Sequence, residues 1–254
     1  MAAFTALLKM NIRRRLCDGF VVGYNMIFPI IMIVLLGGLC RNNFYGGITS
    51  YQYYTVVMIP FSIVMAMITA SYAGKDDAYA KTAERILLTP VSSKAIVIAK
   101  VLSCSMAIFL CSIPVYFGAA LVTGIETDNT FYVIMLFLTL SFAITALGTV
   151  IGLGMKNFLR IKNIMNIPII LFAIMGGTFF RIGSTQQTEN ILLNLSPLRW
   201  INRCLFLLLF DGNVTLLIEV SIVLFALGLV FTMIAIYTFK KGEYMYGNLS
   251  GYEK

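Results

Sequence analysis

Six long apolar runs govern what this chain can fold into. They are Phe20–Leu39, Tyr51–Ala73, Val101–Val122, Phe131–Met155, Ile164–Phe180 and Val214–Phe239. About 20 apolar residues in a helix cross the roughly 30 Å of hydrocarbon in a bilayer. Backbone in lipid must satisfy its own hydrogen bonds, which a helix does. The pattern therefore predicts an all-α integral membrane protein with six transmembrane helices. The fifth run is near the lower length limit, and its span is expected to continue past Arg181. Composition agrees, because 12% of the 254 residues are charged and 59% hydrophobic, against roughly 25% charged in soluble domains.

Orientation follows from the basic residues, which favour the cytoplasmic side. With the N-terminus inside, only Arg41, Arg181, Arg199 and Arg203 of the 19 basic residues fall outside. An even number of spans returns the tail from Lys240 to the cytoplasm, so both termini are expected there. The first apolar run is too long for a secretory signal and lacks a small-residue cleavage site after it. The net charge of +8 is explained by topology and anionic headgroups. No basic stripe with interleaved aromatics points to nucleic acid. The sequence holds no histidine, the commonest general base near neutral pH, and no paired carboxylates or clustered serines within spans, which argues against an intramembrane enzyme. The five cysteines form no C-x-x-C pair, and a bridge between Cys40 and Cys204 near the outer face is possible. Lys100 and Glu219, the charged residues at span edges, are expected to snorkel toward water.

Three segments stand outside the spans. Residues 1–19 place Phe4, Leu8, Ile12 and Leu16 four apart, with Lys9, Arg13 and Arg14 off that stripe, the pattern of an amphipathic helix lying in the membrane interface. Residues 74–94 form a cytoplasmic loop rich in both charges. Residues 181–213 hold Ser196-Pro197, read as an N-cap with proline at the first helical position. The helix that follows, Pro197–Phe210, rises only about 21 Å and is too short to cross. The segment reads as an outer re-entrant hairpin before the sixth span, anchored by Arg199 and Trp200. Within the spans, Pro29, Pro60, Pro114 and Pro168 predict tolerated kinks, and Gly148 and Gly152 suggest a close helix crossing.

The stretches KTAERILLTPVSS (Lys81–Ser93), LFAIMGGTFFRIG (Leu171–Gly183) and LSPLRWINRCLF (Leu195–Phe206), in this order and spacing, resemble the type-2 ATP-binding-cassette (ABC) exporter permeases over nearly the whole chain. In the inner loop Thr82, Glu84, Leu87, Leu88, Thr89 and Pro90 fit the family's pattern, whereas Lys81 stands where glycine is usual and Ala83 where leucine is usual. Arg181 stands where many members have proline. The resemblance implies one transmembrane permease domain, 1–254, in a bacterial cytoplasmic membrane. It also implies pairing with a second permease subunit and coupling to two copies of a separate ATPase. Asp76, Asp77, Lys81, Thr82, Glu84, Arg85, Leu87, Leu88, Thr89 and Pro90 would form the coupling loop. By spacing, Lys81 and Arg85 share a helix face with Asp77 beside Lys81. Gly176, Gly177, Phe179, Phe180, Ser196, Pro197 and Trp200 would form the outer gate and re-entrant segment, and Asn25 and Thr178 the polar points of a mostly apolar substrate path. This chain has no G-x-x-x-x-G-K-[ST] phosphate loop and is expected to hold no cofactor of its own. ATP and Mg would be bound by the partner ATPase. The cargo expected is amphipathic or lipophilic, such as a drug, antimicrobial peptide, lipid or glycoconjugate. The alternative is a membrane scaffold that a partner ATPase drives without transport.

Overall fold

The computed structural model describes residues 2–44, 47–125, 129–155, 158–180 and 193–246. Every regular element among them is helical: α1 (Ala2–Leu16), α2 (Gly19–Leu39), α3 (Ser50–Tyr79), α4 (Ala83–Leu87), α5 (Ser93–Thr123), α6 (Thr130–Gly154), α7 (Phe158–Met175), α8 (Pro197–Asp211), α9 (Thr215–Thr238) and α10 (Lys241–Tyr246). Five of these, α2, α3, α5, α6 and α9, are long and apolar enough to cross a membrane. The fifth apolar run forms α7, whose apolar part, Asn163–Met175, is shorter. That helix stops at Met175 and does not run on through Phe180, because the chain turns at Gly176-Gly177 with Gly177 at φ +72°. Its expected continuation past Arg181, the 181–192 part of the outer hairpin and the tail from 247 lie outside the described residues.

Local chemistry sets the helix ends. Thr49 and Gln52 form a reciprocal capping box before α3. Ser92 caps α5 by accepting from the Ala95 N–H at 3.3 Å, and Gly124, at φ +70°, ends it. Pro29 has no N–H, and the turn before it, Gly23–Ile27, widens to a π-helical turn. The other three span prolines sit inside α3, α5 and α7.

α3 is the central helix, almost wholly buried, while α2 and α9 are mostly exposed apolar surface. Tyr54, Met58, Ile59 and Ile63 of α3 pack with Ile108, Leu136, Phe137 and Leu205 in the main core. The C-terminal half of α3 crosses α6 at the expected glycines. A Cβ on Gly148 would sit 2.6 Å from the Met67 carbonyl oxygen, and one on Gly74 would sit 2.9 Å from the Gly152 backbone. α9 runs along α6, where Gly154 lies against Thr238. All five cysteines are free thiols. Cys204 is buried and donates to the Ile201 carbonyl at 3.0 Å, so it forms no bridge to Cys40.

Candidate functional site

The loop between α3 and α5 is built on a buried charge cluster. α3 continues past its apolar stretch, so Lys75, Asp76 and Asp77 stand on its last turns. A 30-residue helix is about 45 Å long and overreaches the roughly 30 Å hydrocarbon layer. Asp77 is 1% exposed. It accepts from Arg14 Nη1 at 2.8 Å and from the Tyr244 hydroxyl at 2.6 Å, and its other close partner is Lys100 Nζ at 2.5 Å. Lys100 Nζ also donates to the Ala73 carbonyl at 2.8 Å and lies 5.4 Å from the Tyr244 ring centre. Asp76 pairs with Arg15, which also meets Asp18 at 3.7 Å. Four helices, α1, α3, α5 and α10, thus meet on two carboxylates. Burial pushes the Asp77 carboxyl up, but Lys100, Tyr244 and Arg14 outweigh it and hold the group at about 2. Burial first, then the Asp77 charge, raises the Tyr244 hydroxyl, which stays a donor.

Beyond Tyr79 the chain reverses through Lys81, the only non-glycine at positive φ among the described residues, at +53°. The Thr82 N–H returns to the Asp77 carbonyl at 2.9 Å. The five-residue α4 follows, too short to hold itself together. Ala83 and Ile86 fix it by packing on Ile96, Val97, Leu153, Ala235 and Tyr244, and Leu87 lies half-buried against that cluster. The opposite side points away from the protein: Lys81, Glu84, Arg85, Leu88, Thr89 and Pro90 are exposed, Leu88 at 86%. The Thr89 hydroxyl donates to the Ile86 carbonyl at 2.5 Å and closes the turn.

The expected loop residues therefore divide in two. Glu84, Arg85, Leu88, Thr89 and Pro90 come together on one outward face with Lys81. Asp76 and Asp77 turn inward, and Thr82 lies 3.4 Å from the Asp77 carboxylate. The spacing that placed Asp77 beside Lys81 fails because α3 ends at Tyr79 and Lys81 leaves helical geometry. Lys100 does not snorkel, because Asp77 offers its ammonium a buried counter-charge; Glu219 is exposed. Arg14, Arg15, Lys100 and Tyr244 were missed as members of this site. Opposite charges at Arg14-Arg15 and Asp76-Asp77 were a readable hint, but nothing near Tyr244 pointed to α3. On α1 the buried side carries Asn11 and Arg15, while the expected apolar stripe of Phe4, Leu8, Ile12 and Leu16 stays half-buried or exposed.

The residues expected to form an outer gate are also held together. Gly177 O accepts from the Tyr53 hydroxyl at 2.6 Å and Phe179 O from Tyr54 at 3.0 Å. Gly176 O accepts from Asn202 Nδ2 at 3.0 Å. Gly176 is required here, since a Cβ would sit 3.0 Å from the Leu198 Cβ. Ser196 precedes α8 as expected, with Pro197 in its first turn, but its hydroxyl does not cap the helix. It donates to the Phe172 carbonyl at 2.6 Å and ties α8 to α7. Trp200 donates to the Asn194 carbonyl at 2.8 Å. Phe179 meets Phe61 at 5.4 Å, and Phe180 is exposed. Thr178 and Asn25 are both buried, and Asn25 donates to the Val21 carbonyl at 2.8 Å within the π turn. Tyr53, Tyr54 and Asn202, which the sequence did not single out, make most of these bonds.

A family model described as ABC-2 type transporter matches residues 2–210. A search of curated proteins finds no match.

Proposed function

The chain belongs to the ABC-2 type transporter family and is a permease subunit of an ABC transporter, and on that premise we propose that it exports an amphipathic or lipophilic substrate by coupling to a separate ATPase through its inner loop. The observation that carries this is the outward face of α4 and the turn after it. An exposed leucine, Leu88, stands there beside Glu84 and Arg85 on a segment whose other side is locked into the protein. A small apolar knob ringed by charge suits a protein interface. The charge cluster behind it suits transmission, because a push on α4 meets helices joined at Asp77.

In this reading two ATPase chains bind ATP and Mg, two permease subunits pair in the cytoplasmic membrane, and six crossings leave both termini inside. The exposed apolar faces of α2, α7 and α9 would be shared between lipid and the second subunit. The test is co-purification from the native host in mild detergent, with ATPase activity as readout. A nucleotide-binding subunit should accompany the wild type and be lost or uncoupled in Leu88→Asp and Glu84→Arg. Unchanged association and activity in both variants would overturn docking at this face. Substrate flux in reconstituted vesicles separates an exporter from a scaffold that does not transport.

A further inference from the structure

The outer end of the molecule holds a second constellation. On α8, Arg199, Asn202, Arg203, Phe206 and Phe210 fall at i, i+3, i+4, i+7 and i+11, one stripe of an α-helix. All five line a cavity of about 410 Å³, with Tyr53 of α3 in its wall. Tyr53 stacks on Phe206 at 5.2 Å and Phe206 on Phe210 at 5.8 Å. The cavity thus has a cationic end and an aromatic end. Asp211 also lines it, but two turns beyond Arg203, about 12 Å along the helix axis.

The charge at this end points to an anion. Few basic residues fall outside in the topology read from the sequence, yet two of them line one cavity. Asn202, 3% exposed, fixes the wall beside them, its Nδ2 donating to the Gly176 carbonyl at 3.0 Å. Arginine forks match phosphate oxygens.

We propose that this cavity binds the phosphodiester headgroup of an anionic amphiphile. The phosphate lies on Arg199 and Arg203, and the apolar part runs along Phe206 and Phe210. The proposal rests on the export reading, in which α8 faces outward, and names a ligand class for it.

The test uses the full chain with its accompanying ATPase in nanodiscs of phosphatidylcholine containing a minor fraction of phosphatidylglycerol. Retained lipid is counted by native mass spectrometry. The wild type should retain phosphatidylglycerol about tenfold over phosphatidylcholine, a difference of about 1.4 kcal/mol. Arg203→Gln, at an exposed position, should abolish that preference. Arg41→Gln, an outer arginine lining a different cavity, should leave it intact. Soluble glycerophosphoglycerol separates two sources: competition identifies the headgroup alone as sufficient, and no competition identifies a tailed lipid. No preference in the wild type, or a preference that survives Arg203→Gln, overturns the site. Retention needs no nucleotide, so its failure with the ATPase still bound sinks this site alone. Loss of the ATPase with retention intact sinks the coupling reading alone.

Discussion

A carboxylate that is 1% exposed and meets two cations and a hydroxyl cannot lose its charge cheaply. Asp77→Asn leaves Lys100 buried beside a neutral amide, and breaking such a pair from one side costs about 3–5 kcal/mol. The variant should melt well below the wild type in detergent. The sign with pH follows from the depressed folded-state value of about 2. Asp77 contributes its stability fully above its unfolded pKa, about 3.9, and that contribution fades as pH falls through about 2. The gap between wild type and Asp77→Asn should therefore be level from pH 5 to 8 and narrow below about pH 4; a gap that widens in acid would contradict the assignment. Lys81 shows the opposite economy. At φ +53° it occupies the conformation for which glycine carries no Cβ penalty. Lys81→Gly should raise stability by about 0.5–1 kcal/mol, once glycine's looser unfolded chain is set against the relief. Thermal unfolding of the variant checks this, and Lys81→Val should fall on the other side of the wild type.

Between elements, the contacts that matter are backbone approach and tethering. At Gly152 a Cβ would collide with the Ser71 carbonyl, which belongs to a helix and cannot swing away. Gly152→Ala should cost about 1–3 kcal/mol, while Gly118→Ala, which meets nothing within 4 Å, should be neutral or stabilising in the same assay. α10 is short and depends on Tyr244. Tyr244→Phe removes its bond to Asp77, worth about 1.5–3 kcal/mol for a charged acceptor, and should speed tryptic cleavage at Lys240 and Lys241. Equal cleavage rates would show that α10 is held by packing alone. These two cases also mark what the sequence could disclose. Helix positions were legible because apolar length is a local property: five of the six apolar runs became long apolar helices, three within one residue of the expected bounds, while α3 runs on to Tyr79 and α5 starts at Ser93, where polar residues extend the helix beyond its apolar stretch. The glycine crossing was legible as spacing. The Asp77 cluster was not, because its members lie as far apart in the chain as Arg14 and Tyr244 and only tertiary packing brings them together. The turn at Lys81 escaped for another reason: helical spacing assumes that the helix continues, and α3 ends at Tyr79.

For the whole molecule the question is how often the chain crosses. Tyr244, just beyond α9, bonds to Asp77 at the end of α3, so the ends of these two helices share one side. Between them run α5, α6 and α9, three helices of full crossing length. Three crossings would leave α9 ending on the far side, so an even count needs a fourth, and α7 is placed to supply it. It follows Gly154, which lies against Thr238 near that shared end. Its other end turns at Gly177, whose carbonyl accepts from Tyr53 near the opposite end of α3. Its 18 residues rise about 27 Å, close to the hydrocarbon thickness. On this parity we propose six crossings, and labelling tests it. In a Cys17→Ser, Cys40→Ser background, which leaves only the three buried cysteines, Thr89→Cys and Leu195→Cys each add one accessible thiol at exposed positions on either side of α7. A membrane-impermeant maleimide should reach Leu195→Cys in intact cells and Thr89→Cys only in inverted vesicles. If both thiols label from the same side, α7 does not cross, and the placement of α8 and its arginines on the outer face fails with it.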